Sequence, residues 1–204
     1  MPPEVPPVPW STIPEMMRDV AARHARADAV VDGKTRLDFE ALHRETLRFA
    51  RALEAQGIGA GDAVAIWASN GWRWVVAASG AWQIGAIVVP LASRWKAAEV
   101  GPLIERVGAR VLVVDEESAG ERLLDALVGL HAAAGGPGVS AAAPGAVAAS
   151  GRSGPPIAGL ACVEQVVVLD RAAAESAFAA DAGSIARWDA FVARGEGRPW
   201  PDGR

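Results

Sequence analysis

Apolar positions in the first 130 residues alternate between two patterns. Short apolar runs rich in β-branched side chains occur at 63–67, 86–90 and 110–115, as expected for strands buried on both faces of a sheet. Between them, apolar residues recur three and four positions apart, which is typical of helices that cover a sheet. Repeated strand–helix–strand units of this size predict an α/β fold with a Rossmann-like, mostly parallel sheet flanked by helices.

Smaller elements are predicted before the sheet begins. A helix is expected over 13–24, with Pro14 in its first turn. Two short strands at 29–31 and 35–38, joined by an Asp32-Gly33 turn, predict a small N-terminal hairpin. An amphipathic helix follows and ends near Gly57. Further predicted elements are helices over 72–84, 97–107 (which Pro102 should kink or shorten), 119–130 and 185–194, and a strand over 166–169.

The composition changes sharply after residue 131. Residues 132–156 consist almost entirely of Ala, Gly, Pro and Ser and have no apolar periodicity, which is typical of a flexible segment. The predicted organisation is therefore a first part of one α/β unit over 1–130, a flexible insertion over 131–160, and a continuation of the same unit over 161–204. Because the final residues offer no element to end on, we expect this unit to be truncated at its end.

Charge and cysteine content exclude several classes of protein. The chain has 20 basic and 24 acidic residues, a formal net charge of −4, which argues against nucleic acid as a partner. Cys162 is the only cysteine, so neither an internal disulfide nor a multi-cysteine metal cluster is possible. The start lacks the basic and apolar regions of a secretory signal, so a cytoplasmic location is expected. The uncharged stretch 74–93 is long enough to span a bilayer, but Gly85 divides it into helix-like and strand-like halves, so no membrane span is predicted.

Two glycine-containing segments resemble nucleotide-binding loops but lie in the wrong context. The run at 33–35 (Gly-Lys-Thr) mimics the end of a P-loop, yet Asp28 stands where that motif needs glycine, and the run lies in a hairpin turn. The glycines at 57–61 follow a helix and precede a strand, which is the reverse of a dinucleotide-binding loop. We interpret both segments as turns.

Candidate catalytic and metal-binding side chains do not cluster in the sequence. The three histidines have no ligand-like spacing, and His43 is expected to be solvated on the polar side of its helix. The tryptophans at 67, 72, 74 and 82 are interpreted as core and subunit packing rather than as a platform for stacking bases. The only lysines are Lys34 and Lys96. Neither a catalytic residue nor a metal ligand is assigned.

Several ordered segments resemble one known family. They are GDAVAIWASNGWRWVV at 61–76 and GAIVVPLASR at 85–94, with TRLDFEAL upstream at 35–42 and GARVLVVD, VVVLD and WDAFVAR downstream at 108–115, 166–170 and 188–194. Together they resemble the N-terminal region of AMP-forming acyl-CoA synthetases, which belong to the adenylate-forming ligase superfamily. The expected fold is therefore the first subdomain of the adenylate-forming ligase fold.

The resemblance implies a two-step ligase reaction. A carboxylic acid attacks Mg·ATP to give an acyl-adenylate, and coenzyme A then displaces AMP. The full-length family uses ATP, CoA and magnesium, with a Gly/Ser/Thr-rich phosphate loop and a C-terminal lysine. This sequence contains neither, so it is predicted to be an N-terminal fragment that is inactive alone and binds none of these cofactors. The alternative is a stand-alone binding or regulatory module derived from the same subdomain.

One binding residue is implied by the resemblance. Arg94 occupies the arginine position of the family's Asn-x-Arg segment, near the entry route of the CoA nucleotide, where it would either hold a phosphate or form a structural ion pair. The tryptophan pattern at 65–74 resembles actinobacterial ligases for fatty acids or for propionate side chains of degraded steroids. The expected partner is a small-molecule carboxylic acid. The predicted strands are apolar on both faces, so both faces of the sheet need to be covered. If part of that cover comes from outside this chain, the chain is predicted to associate, as a homo-oligomer or through exposed apolar surface.

Overall fold

The computed structural model describes residues 8–118, 121–123, 126–127, 160–169 and 185–197. The predicted insertion at 131–160, apart from Leu160, lies outside these ranges, as do residues 198–204 of the predicted tail. In chain order the elements are α1 Ile13–Arg23, β1 Asp28–Asp32, β2 Thr35–Asp38, α2 Phe39–Ala55, β3 Ala63–Trp67, α3 Trp72–Gln83, β4 Ile87–Leu91, α4 Ala97–Val107, β5 Ala109–Asp115, β6 Glu117–Ser118, β7 Glu121–Arg122, β8 Gln165–Leu169, β9 Ile185–Arg187 and α5 Trp188–Ala193.

Local signals place the ends of the early elements. The Thr12 side chain and Glu15 form a reciprocal capping box at the start of α1, and Pro14 lies in its first turn. Asp38 accepts a hydrogen bond from the Ala41 N–H, 2.7 Å away, and so caps α2. Gly33 has a φ of 57°, which lets the chain reverse between β1 and β2. The predicted α1, hairpin and α2 are thereby confirmed.

A five-stranded parallel sheet forms the centre of the fold, in the order β4-β3-β5-β8-β9. The chain passes from β3 outward to β4 and then returns across the sheet to β5 on the other side of β3. The strand order therefore reverses between β3 and β5, and in parallel α/β sheets such a switch point leaves a crevice at the carboxyl ends of the two strands. The predicted Rossmann-like sheet with a separate small hairpin is confirmed.

Alternate strand residues enter two different cores. Val64, Ile66, Val111 and Val113 pack with buried residues of α2, α3 and α5. Ala65, Trp67, Leu112 and Val114 pack on the opposite face with Val100 and Ile104 of α4. Every residue of β3 and β8 is buried, so the prediction that this sheet is covered on both sides is correct for its central strands.

β4 differs from the expected buried strand because it is an edge strand. It begins at Ile87 rather than residue 86, and the Ile87 side chain is 55% exposed. Ile87 N–H donates to the Asp62 carbonyl, 2.8 Å away, so the alternate backbone groups at Val88 and Pro90 point outward. Pro90 has no N–H to offer there, as is typical of proline on an edge strand.

The structure differs from the prediction for two helices. Residues 185–187 were expected to begin a helix but form β9, because pairing with β8 satisfies their backbone groups and the helix begins only at Trp188. Residues 121–122, expected inside a helix over 119–130, form β7 paired with β6.

Two smaller details also differ from the prediction. Pro102 lies within α4 without shortening it. The hairpin turn is formed by Gly33 and Lys34, since Asp32 pairs with Thr35.

The uncharged stretch 74–93 is divided as predicted. α3 ends at Gln83, and Gly85, with a φ of 74°, redirects the chain into β4. Across the described residues, helices combining the length and apolar character needed to cross a bilayer are absent.

Candidate functional site: a cavity at the strand switch point

A cavity of about 360 Å³ lies at the carboxyl ends of β3, β5 and β8. Three separate parts of the chain build it: the turn of the β1–β2 hairpin, the loop from β3 into the first turn of α3, and the ends of β5 and β8. Its lining residues are Asp32, Gly33, Lys34, Thr35, Ser69, Asn70, Gly71, Trp72, Arg73, Trp74, Asp115 and Leu169. This is the switch point of the sheet, where parallel α/β proteins bind their ligands.

The hairpin is fastened to the start of α3 by Asp32. The Trp72 N–H donates to Asp32 Oδ2 at 3.1 Å, so this carboxylate occupies the positive end of the helix dipole. α3 begins after Gly71, which has no side chain to cap the helix. A Cβ at position 71 would lie 3.0 Å from Asp32 Oδ2, so glycine leaves room for the carboxylate to reach the helix.

Asp115 forms the inner end of the cavity. Its side chain is 3% exposed, and its Oδ2 accepts the Ser69 N–H at 2.7 Å across 46 positions of sequence. Within the described part of the chain, no hydrogen bond to the other oxygen, Oδ1, is present. Leu169, also buried, closes this end. A buried carboxylate held at one oxygen is a directed hydrogen-bond acceptor.

Cationic and aromatic side chains form the outer part of the cavity. Lys34 is exposed at the hairpin turn and makes no hydrogen bond or ion pair with the described residues. The Arg73 guanidinium lies 4.7 Å from the Trp72 ring centroid, a cation–π distance. Trp72 also meets Trp188 of α5 edge-on, at 5.8 Å between ring centroids. The Trp72 ring is therefore fixed, which gives the cavity one rigid wall.

The opposite end of the sheet has a paired ionic cluster instead of a cavity. Arg110 donates to Asp62 Oδ2 at 2.6 Å and to both carboxylate oxygens of Glu164 at 2.8 and 2.9 Å. Burial by itself would raise the pKa of Asp62, but hydrogen bonds from Arg110 and the Gly59 N–H and the charge of Arg110 together lower it. Hydrogen bonding to Glu164 raises the pKa of Arg110. This cluster is already satisfied internally.

Arg94 lies apart from the cavity. It is exposed in the turn between β4 and α4 and does not line the switch-point cavity. The structural alternative for this residue was an ion pair, and Arg94 forms none with the described residues. The phosphate contact that the family resemblance implies at Arg94 remains a proposal.

Lys34 and Asp115 are functional candidates that the sequence analysis did not select. Gly33 and Lys34 form a turn, as interpreted, and Thr35 begins β2, but the fold places that turn over the carboxyl edge of the sheet. Asp115 was recognised only as the end of a strand. The sequence shows a charged residue at the end of an apolar strand, which is a feature of ligand sites in parallel sheets. It does not show the order of the strands, which decides whether that residue lies at a switch point.

His43 was expected to be solvated, and this prediction is wrong. Its ring is half-buried, and desolvation together with the charge of Arg18 lowers its pKa. Arg18 belongs to α1, which packs on α2 and covers a helix face that the sequence presents as polar.

The tryptophan interpretation is confirmed for the core. Trp67 is fully buried, and Trp72, Trp74 and Trp82 are partly buried and pack against the helical core.

The described residues do not fit a magnesium site. Groups of three His, Cys, Asp or Glu side chains that could hold a metal ion are absent from them. Burial raises the pKa of the Cys162 thiol, which disfavours the nucleophilic thiolate. We therefore derive no metal-dependent or thiol-dependent step from this part of the chain.

Comparison with known proteins identifies the family. The model of the family described as AMP-binding enzyme matches residues 17–182. The chain belongs to this AMP-binding enzyme family. A 3-[(3aS,4S,7aS)-7a-methyl-1,5-dioxo-octahydro-1H-inden-4-yl]propanoyl:CoA ligase from Rhodococcus jostii is 39% identical over 104 residues, covering 51% of this chain and 20% of that ligase. The ligase of the same name from Mycobacterium tuberculosis is 48% identical over 63 residues, 31% of this chain and 12% of that protein.

Solved structures agree with the family assignment. The N-terminal domain of FACL13 from Mycobacterium tuberculosis is 29% identical, with a TM-score of 0.52, over 54% of this chain and 29% of that chain. The anthranilate CoA ligase AuaEII superposes with a TM-score of 0.61 at 17% identity, over 83% of this chain and 27% of that chain, a likeness that concerns the fold alone. The stretches that this AMP-binding family member shares with its first curated relatives span a fifth or less of their length.

Proposed function

We propose that this chain supplies the first subdomain of an acid–CoA ligase, which activates a carboxylic acid as acyl-AMP and transfers it to CoA. The observation that carries the proposal is the family match over residues 17–182, supported by relatives named as CoA ligases. In this proposal the parallel sheet is a scaffold. Its two cores fix the carboxyl ends of β3, β5 and β8, and the chemical groups come from elsewhere in the enzyme.

We infer further that the chain by itself does not form acyl-adenylate. The chain contains no Gly/Ser/Thr-rich phosphate loop, its only lysines are Lys34 and Lys96, and the described residues hold no metal-ligand group. ATP and magnesium bound in the full enzyme would supply the phosphoryl chemistry and charge neutralisation. The described residues include no group that could hold magnesium, and no step of the reaction is assigned to a residue of this chain.

The acid is proposed to be a fatty acid or a steroid-derived acid with a propionate side chain. The two first relatives carry ring-substituted propanoyl groups in their names, which supports the second class. They match this chain over a region that includes only a small share of each enzyme. The relatives' names therefore support the class of acid and not the individual compound.

Arg94 is proposed to contact a phosphate of CoA. Its guanidinium is exposed at the carboxyl end of β4, and a guanidinium can hold a phosphate through two parallel hydrogen bonds. Arg94→Ala in an active ligase that contains this subdomain should raise the KM for CoA while leaving ATP–pyrophosphate exchange unchanged, because the first half-reaction does not use CoA. An unchanged KM for CoA would remove the assignment.

A chimera tests the proposed function. The matched 104-residue stretch of the Rhodococcus jostii ligase is replaced by the corresponding stretch of this chain, and ATP–pyrophosphate exchange is measured with a panel of carboxylic acids. We expect exchange in the chimera and none above background in the isolated chain. Exchange by the isolated chain would overturn the claim that it is inactive alone.

Two glycine variants make the chimera interpretable. A Cβ at Gly80 would lie 2.9 Å from the Phe49 ring and 3.1 Å from the Thr46 carbonyl, whereas a Cβ at Gly59 meets nothing within 4 Å. Gly80→Val should therefore abolish exchange by separating α2 from α3, and Gly59→Ala should preserve it. Full activity in the Gly80→Val chimera would mean that this subdomain does not act as the scaffold, and would favour a stand-alone binding module.

A further inference from the structure

The switch-point cavity is not explained by the proposed function. Its polar groups contribute to neither the predicted CoA contact at Arg94 nor any catalytic group, and all of them belong to the described residues of this one chain. About 360 Å³ is within the size of small-molecule sites in proteins. Its position at the reversal of strand order is where α/β sheets place ligands.

The inner end of the cavity favours a ligand with hydroxyl groups. Asp115 accepts one backbone hydrogen bond on Oδ2 and keeps Oδ1 as an acceptor, which a hydroxyl donor would satisfy. Ser69 and Asn70 also line the cavity, and the Ser69 hydroxyl and the Asn70 amide make no hydrogen bond with the described residues. Neutral groups that both donate and accept match sugar hydroxyls. Trp72 and Trp74 also line the cavity, and an indole can pack against the C–H face of a sugar ring.

The outer end of the cavity favours an anion held by Lys34. The start of α3, which would otherwise attract an anion, is already occupied by Asp32 through the Trp72 N–H. The ammonium of Lys34 is the cation on the cavity that has no partner among the described residues. A compact ammonium with three donors suits a phosphate group.

We propose that this cavity binds a small sugar phosphate, with its hydroxyls on Asp115 and its phosphate on Lys34. The inference is independent of the proposed ligase function, because it depends only on groups of this chain. Carboxylate at the inner end and ammonium at the outer end also fix the orientation of the ligand, since exchanging its two ends would place phosphate against the buried Asp115 carboxylate.

The test uses the full chain and three probes: ribose 5-phosphate, ribose and inorganic phosphate, titrated by calorimetry. Asp115→Asn keeps an oxygen for the Ser69 N–H and replaces the second acceptor by a donor. It should weaken ribose 5-phosphate about tenfold while leaving inorganic phosphate unchanged. Lys34→Met should weaken both phosphate-containing probes about tenfold. Lys96→Met, at the only other lysine of the chain, is the matched control and should change neither.

A second measurement needs no variant. Because the chain has two lysines, both exposed, acetylation by acetic anhydride can be followed at Lys34 and Lys96 by mass spectrometry. Saturating ribose 5-phosphate should protect Lys34 and not Lys96. The proposal is overturned if ribose 5-phosphate shows no saturable binding, if Asp115→Asn and Lys34→Met both leave its affinity unchanged, or if both lysines are protected equally.

Discussion

The two ends of the parallel sheet use charged residues in opposite ways. At the amino ends of β3, β5 and β8, Arg110 lies between Asp62 and Glu164, and each carboxylate receives a short hydrogen bond from it. At the carboxyl ends, Asp115 and Asp32 accept only backbone N–H groups among the described residues, and the Lys34 ammonium makes no ion pair there. At the amino ends the charged side chains pair with one another, whereas at the carboxyl ends they lie separately around a cavity.

This contrast separates charges that stabilise the fold from charges that are available to a ligand. A paired cluster lowers the free energy of the folded chain, because each member would otherwise be partly desolvated without a partner. Carboxylates that are positioned by backbone donors keep acceptor capacity for a ligand. We therefore expect substitutions at the amino end to change stability, and substitutions at the cavity to change binding more than stability.

The largest effect is expected at Arg110. Arg110→Met should destabilise the chain by about 2 kcal/mol, because it leaves Asp62 and Glu164 facing one another without their shared cation. Urea unfolding followed by tryptophan fluorescence measures the loss. Arg106→Met is the matched control, since Arg106 is exposed and forms no ion pair with the described residues. Equal losses in the two variants would contradict the contrast between the ends.

Asp115→Ala should cost less, about 1.5 kcal/mol, because it removes the acceptor of the Ser69 N–H at the end of β5. Asp115→Asn retains that acceptor and should be nearly as stable as the parent chain. The same unfolding measurement compares the two variants. A large loss in the Asn variant would mean that the negative charge itself holds the carboxyl end together.

Acidification to about pH 3.5 should reduce the Arg110→Met penalty by about 0.5 kcal/mol. The pKa of Asp62 is lowered in the folded chain, so its stabilisation is complete above its unfolded pKa near 4 and is lost as the pH falls through the folded value. Unfolding of the parent and the variant is compared at pH 7 and about pH 3.5. A penalty that stays constant with pH would show that the Asp62–Arg110 contact contributes little.

Asp32→Ala should cost about 0.5 kcal/mol, because its carboxylate is exposed while it caps the first turn of α3. Asp32→Asn keeps an acceptor for the Trp72 N–H and should restore most of the loss. Hydrogen exchange at the Trp72 amide reports on this contact directly. Unchanged exchange in the Ala variant would mean that the hairpin is not fastened to α3 through this hydrogen bond.

The smallest stability change is expected at Lys34. Lys34→Met should alter the free energy of unfolding by less than about 0.5 kcal/mol, because the ammonium makes no hydrogen bond or ion pair with the described residues. Its predicted effect is on ligand affinity instead. Thermal unfolding of the ligand-free chain measures the change, and a loss comparable to that of Arg110→Met would assign Lys34 a structural role.

Most of the fold follows from local pattern. β3, β5 and β8 were predictable because they are apolar on both faces, and α2 because its buried residues repeat every three or four positions. β9 was not predictable, since three residues carry no measurable period and their extended form depends on pairing with β8. The exposure of β4 was missed for the same reason: an edge strand and a central strand can have the same apolar sequence.

The candidate site could be predicted only in part. The charged residues that end the strands are visible in the sequence, as is the turn at 33–35. Their assembly is not, because Asp115 meets Ser69 across 46 positions only after β5 pairs with β3. Arg94, the residue that the family resemblance selected, lies outside the cavity.

The sequence by itself determined the α/β class, the helix caps and the family, because these depend on residues near one another or on ordered short segments. Only the tertiary structure decided the strand order, the paired cluster at one end of the sheet and the cavity at the other. The physical reason is that strand order follows from which hydrophobic faces pack together over the whole unit, and that packing brings distant charges either into contact or to the two ends of a ligand site.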